Sequence, residues 1–207
     1  MKVKLQHTIE ATVYHEAGHV AMAFYLGIKI QGITIARAGV GMAYYMMYFP
    51  AADCVMSSKK KRCKIDLNKL DAKFRDFALV CLAGYTAEFM HLKMRLPYEG
   101  LLIFDEYEDP DRPKNDYSKL EWQMEKANQF LDSDRYDDVC FRKWNVETRK
   151  ILRKENVWMA IEALSKYILS KEQDFDKETG IFIEASDIEN ILGKFIPKPT
   201  VNSLIAV

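Results

Sequence analysis

At 207 residues the chain suits one large domain, or one domain with an appended subdomain. Apolar residues make up 49%, with 11 Phe and 11 Tyr, enough for a core and too many for a disordered chain. Lys plus Arg and Asp plus Glu balance at 30 each, so no global field selects nucleic acid or an anionic membrane as partner. No apolar run approaches the ~20 residues needed to span a bilayer, and residues 1–7 do not form a signal peptide. The chain reads as soluble and cytoplasmic. Its four cysteines, Cys54, Cys63, Cys81 and Cys140, include no C-x-x-C pair and read as reduced thiols, with a Cys54–Cys63 disulfide as the lesser alternative.

The first element is a helix, with Thr8 as N-cap, Glu10 in the first turn and Gly27 just past the end. It carries His15-Glu16-Ala17-Gly18-His19. Histidines four apart lie on one face, roughly 6 Å apart along the axis at ~1.5 Å per residue, so both imidazoles can reach one zinc ion. Glu16 between them then faces the same site as general base for a zinc-bound water. Ala17 and Gly18 are small enough for another backbone to come close.

After Gly27 the period changes to alternation, through Ile28, Ile30, Ile33 and Ile35, a turn at 38–41, and a second β-prone run at 42–49 stopped by Pro50. This reads as a hairpin or small sheet. Its second run is either a packed strand or an edge strand that pairs with an extended peptide. The basic run at 57–62 reads as a solvated loop. An apolar stripe from Leu70 to Leu92 predicts a long buried helix with Gly84 in its middle. Residues 97–115 are irregular, with an acidic stretch at 105–111. Asn115-Asp116-Tyr117-Ser118 opens another helix, in which Ser118 and Glu121 fit a capping box. Residues 136–172 are helical, as one helix or two broken near Asn156. Ile181-Phe182-Ile183 suggests a short strand, Ser186 with Glu189 suggests a capped last helix, and Pro197 begins a tail.

A catalytic zinc needs three protein ligands and an open position. The extended H-E-x-x-H-x-x-G-x-x-H pattern fails, since Met22 and Tyr25 stand where its glycine and third histidine belong. His7 is awkwardly placed, and His91 is more simply a capping or surface residue. Glu88, in an apolar helical stretch, wants a partner. Asp116, in a first turn, is favoured there by the helix dipole. Spacing alone does not separate these two.

With these pieces placed, the chain resembles the peptidase domain of the FtsH family of membrane-anchored AAA+ zinc proteases. Residues 13–21 resemble the family's zinc helix, and Ile33-Thr34-Ile35-Ala36-Arg37 with Gly41-Met42-Ala43-Tyr44 resembles its strand pair. Leu82-Ala83-Gly84-Tyr85-Thr86-Ala87-Glu88 resembles its L-G-G-R-A-A-E helix, and Asn115-Asp116-Tyr117 the segment bearing the third ligand. Residues 151–172 and 188–192 resemble its C-terminal helices. The resemblance implies a mainly α (α+β) fold, a helical zincin-like peptidase domain at 1–196, divided near 115, with a tail at 197–207. It implies zinc held by His15, His19 and Asp116, Glu16 as base, Glu88 in support, and substrate along Gly41, Met42, Ala43, Tyr44 and Tyr45. Tyr85 replaces the family's arginine, and these 207 residues contain neither the ATPase module nor the membrane anchor. The expected activity is therefore ATP-independent hydrolysis of unfolded or flexible polypeptides, with a separate AAA+ ATPase or a homo-oligomer as possible partners. The alternative is a zinc-binding regulatory module.

Overall fold

The computed structural model describes residues 8–36, 40–46, 50, 66–93, 116–176 and 179–197. His7, Cys54 and Cys63, the runs at 57–62 and 105–111, and the tail after 197 lie outside the described residues. Helix α1 spans Ile9–Tyr25. Thr8 Oγ1 accepts the Ala11 N–H at 3.1 Å, satisfying one of the donors left open at a helix start. Gly27, at φ 75°, takes the left-handed turn just past the end that an L-residue resists. Between these caps Thr12 through Tyr14 and Glu16 through Phe24 are buried, polar residues included. A helix buried almost all round belongs at the centre of the molecule.

Strands β1 (Ile30–Ala36) and β2 (Val40–Tyr45) pair antiparallel, with Ile35 opposite Gly41 and Ile33 opposite Ala43. The second strand begins at Val40, so Gly41 is part of it and not of the turn. A third strand, β3 (Ile181–Glu184), joins the other side of β1, giving the order β2-β1-β3. Of the hairpin or small sheet read from the sequence, the structure has the small sheet, completed by the short strand expected at 181–183. Ile33, Ile35 and Ile183 are buried, and Val40, Met42 and Phe182 are exposed, so alternation sorts the residues between the two faces.

Helix α2 (Leu67–His91) is capped by Asp66, whose Oδ1 accepts the N–H groups of Asn68 and Lys69. It crosses α1 at Gly18, where an added Cβ lands 2.6 Å from the Ala83 carbonyl oxygen and 2.6 Å from Ala87 Cβ. The close backbone approach that the small residues suggested is therefore present. Gly18→Ala is expected to cost about 1–3 kcal/mol through forced separation of the helices. Thermal denaturation should show a Tm lower by several degrees, and an unchanged Tm would contradict this crossing.

Helices α3 (Asp116–Leu131), α4 (Asp138–Leu152), α5 (Glu155–Ser170) and α6 (Ala185–Leu192) complete the fold. One core cluster includes buried residues of all six helices, among them Phe74, Leu120, Ile151, Ile161 and Ile188. Three expected boundaries shift. Ser118 lies inside α3, whose helical turns already include Asp116, so it is not the residue at which the helix starts. The break in the 136–172 stretch falls at Arg153 and Lys154, short of Asn156, without a side-chain cap on the new helix. Ser186 is the second residue of α6, because β3 runs directly into that helix through Glu184. The fold is thus mainly helical, with a small antiparallel sheet just after the H-E-x-x-H helix. Among the described residues no helix is long and apolar enough to cross a membrane, and Cys81 and Cys140 are free thiols.

Candidate metal centre

The imidazoles of α1 are held from behind by α2. His15 lies against Glu88 and His19 against Val80, so the helices run antiparallel, the histidines one turn apart on α1 and their partners about two turns apart on α2. The Glu88 carboxylate accepts from His15 Nδ1 at 3.0 Å. The Val80 carbonyl accepts from His19 Nδ1 at 2.7 Å. Since both partners only accept, both rings carry a proton on Nδ1, and both Nε2 atoms face the same point, where a metal would take the place of any proton on them. Gly84 makes this possible: a Cβ there falls 2.4 Å from His19 Nε2 and 2.6 Å from His15 Nε2. Tyr85 packs edge-on against the His15 ring, with centroids 4.6 Å apart.

Asp116 arrives from the first turn of α3. Its Oδ2 lies 3.0 Å from His19 Nε2 and 3.5 Å from His15 Nε2, and the two Nε2 atoms are 3.1 Å apart. Lys119 Nζ donates to the other oxygen, Oδ1, at 2.9 Å, which leaves Oδ2 alone to face the imidazoles. A tetrahedral zinc with ligands at ~2.0–2.1 Å keeps them about 3.3–3.4 Å from one another. The three observed edges straddle that spacing, and the donor set, two neutral imidazoles and one carboxylate, suits a divalent ion. Among the described residues this is the group of His, Cys, Asp and Glu side chains that comes together in this way.

Glu16 is buried beside the triangle. Burial drives its carboxyl pKa up, the two imidazoles oppose that rise, Asp116 adds to it, and the Ala43 backbone N–H opposes it. Strand β2 lies against this residue: a Cβ on Gly41 meets Glu16 Cγ at 2.5 Å and Oε1 at 2.8 Å. Of the five strand residues expected to bind substrate, Gly41 and Ala43 thus touch the Glu16 side chain itself, Met42 and Tyr44 are exposed, and the Tyr45 ring stands 6.5 Å from that of His19. The outer edge of β2 pairs with no strand among the described residues. His91, expected to be a capping or surface residue, stacks on Tyr14 with centroids 3.6 Å apart and contacts Glu10 at 3.2 Å, and it is not part of the triangle.

In the metal-free protein, burial disfavours the His15 cation, but bonds to Asp116 and Glu88 and the field of Glu16 outweigh it and raise the pKa to about 10. A raised folded pKa contributes stability in full below ~6.5, the unfolded value, and loses it as pH climbs toward 10. A metal must displace this proton, so its stabilisation should grow over the same window. The rise in Tm on adding zinc is expected to be larger at pH 8 than at pH 6; an equal rise at both would contradict the arrangement. Glu88→Gln, which removes the charged partner of His15, is expected to weaken metal binding about 10–100-fold. Metal titration by calorimetry checks this, and an unaltered affinity would reject the supporting contact.

Residue-by-residue reading missed Gly84, Lys119 and the Val80 carbonyl. Gly84 had a signal, since a glycine in mid-helix costs about 1 kcal/mol against alanine and calls for a reason. Lys119 and Val80 had none, because one is an ordinary surface lysine in sequence and the other acts through its backbone. Comparison with known proteins finds no matching family model and no matching curated protein. What the geometry shows is the general zincin pattern: an H-E-x-x-H helix and a distant aspartate forming a set able to hold a divalent metal within a helical domain.

Proposed function

We propose that this protein is a zinc-dependent endopeptidase of the FtsH peptidase type that cleaves unfolded or flexible polypeptides without ATP. The observation that carries the reading is the convergence of His15, His19 and Asp116 within 3.5 Å of one another, with buried Glu16 on the same helix. Zinc bound there supplies a Lewis acid that polarises a carbonyl and lowers the pKa of water. Glu16 takes the proton of the attacking water and returns it to the leaving amine, a double role suited to a carboxyl whose pKa burial raises above its ordinary value. His15, His19 and Asp116 ligate; Glu88 and Val80 fix the rings, and Lys119 fixes the carboxylate. The edge of β2 that no strand among the described residues covers accepts an extended peptide, which the strand's contact with Glu16 brings alongside the base.

Incubation with an unstructured casein-like substrate tests this. Cleavage is expected in zinc, lost with a chelator and restored by added zinc. A protein loaded with metal that leaves every unstructured substrate intact would instead be a zinc-binding module without hydrolytic activity.

A further inference from the structure

Helix α4 buries Phe141, Trp144, Thr148 and Ile151 and turns a second, unlike face outward. On that face Val139 and Val146 are 54% and 66% exposed, seven residues apart and so on one stripe two turns long. Exposed Arg142, Lys143 and Lys150 flank them. Between this face, Tyr25 at the end of α1 and Arg75 on α2 lies a groove of about 710 Å³. Its single lining carboxylate among the described residues, Glu147, is gripped by the Arg75 guanidinium, with Nε 3.1 and 3.2 Å from the two oxygens. Lys154 is engaged with Tyr25, through the hydroxyl at 2.6 Å and over the ring at 4.8 Å. Arg142, Lys143 and Lys150 have no ion pair among the described residues. A smaller groove lined by Val146, Arg149, Lys150 and Arg153 continues the same positive stripe for another turn.

We propose that this groove binds an acidic amphipathic polypeptide segment, its aliphatic side chains on Val139 and Val146 and its carboxylates on Arg142, Lys143 and Lys150. Charge complementarity selects the acidic partner, because the net charge of the whole chain is zero and the positive field is local to this face. The aliphatic stripe selects polypeptide over nucleic acid, which needs aromatic stacking platforms or an uninterrupted row of phosphate contacts. Among the described residues the one aromatic ring lining the groove, Tyr25, is covered by Lys154. Two valines are also too little apolar surface to enter a bilayer.

The groove borrows one lining residue from each helix of the pair that carries the metal centre. Tyr25 is six residues beyond His19, about 9 Å along α1, and Arg75 nine residues before Gly84, about 14 Å along α2. The inference goes beyond the peptidase reading and is tested without catalysis.

Fluorescence anisotropy of the full chain with a labelled peptide of about 18 residues, Glu and Leu at helical spacing, reads the interaction directly. Binding is expected, with affinity falling as salt rises. The exposed double variant Arg142→Glu/Lys150→Glu should lose at least about tenfold, as should Val146→Asp, with circular dichroism and metal content unchanged. The same peptide with Gln for Glu should not bind. Equal affinity in the double variant, equal binding of the Gln peptide, or tighter binding of oligothymidylate or phosphatidylserine vesicles would overturn the proposal.

Discussion

Glu16→Gln is expected to lower peptide hydrolysis by about 10²–10⁴-fold while one metal ion per chain remains bound. The amide keeps the length and shape of the side chain. Its oxygen can still accept the Ala43 N–H, so β2 stays seated and Gly41 keeps its place over the residue. What disappears is the ability to take up and return a proton. The same substitution should not destabilise the metal-free protein. A carboxyl whose folded pKa lies above its unfolded value loses stability as pH rises through that interval, so at pH 7 the buried carboxylate is a cost that a neutral amide removes. A variant that melts no lower, binds metal and cleaves nothing is the expected combination, read by calorimetry and a casein assay. Wild-type turnover in this variant would remove Glu16 from the chemistry.

The second large effect is at Gly84. Gly84→Ala is expected to weaken metal binding by at least about 100-fold. The added methyl falls within 2.6 Å of both Nε2 atoms, the atoms that would ligate. Neither ring has room to yield, because Glu88 and the Val80 carbonyl hold the opposite nitrogens. The only relief is separation of α1 from α2, which disrupts the crossing at Gly18 and costs about 1–3 kcal/mol. Metal titration and a melting curve on the same sample separate the two losses. Full metal affinity in Gly84→Ala would mean that α2 does not approach the imidazoles as described.

The two halves of the centre were unequally legible in sequence. His15, Glu16 and His19 sit on one face by the 3.6-residue period alone, and Thr8 and Gly27 mark the ends of their helix through local capping chemistry. Local pattern does reach that far. Asp116 lies 97 residues beyond His19, and its approach depends on how α3 packs, which no periodicity encodes. Spacing along the chain therefore does not choose between Glu88 and Asp116. In three dimensions the two carboxylates take opposite sides of His15, Glu88 on Nδ1 and Asp116 toward Nε2. Helix boundaries show the same limit. The S-x-x-E pattern at Ser118 and at Ser186 occurs inside helices as well as at their starts, so it misplaced both caps. The α4–α5 break, expected near Asn156 in one of two readings, falls at 153–154; it carries no glycine or proline and Lys154 caps α5 without a side-chain bond, so nothing local fixes its place more closely.

The most direct measurement is metal stoichiometry and affinity in three proteins: wild type, Asp116→Ala and Glu88→Ala. One zinc per chain is expected in the wild type. Asp116→Ala should lose more affinity than the 10–100-fold typical of a residue that only supports a ligand, while Glu88→Ala should stay roughly within that range. Wild-type affinity in Asp116→Ala, with binding abolished in Glu88→Ala, would contradict the account and make Glu88 the third ligand.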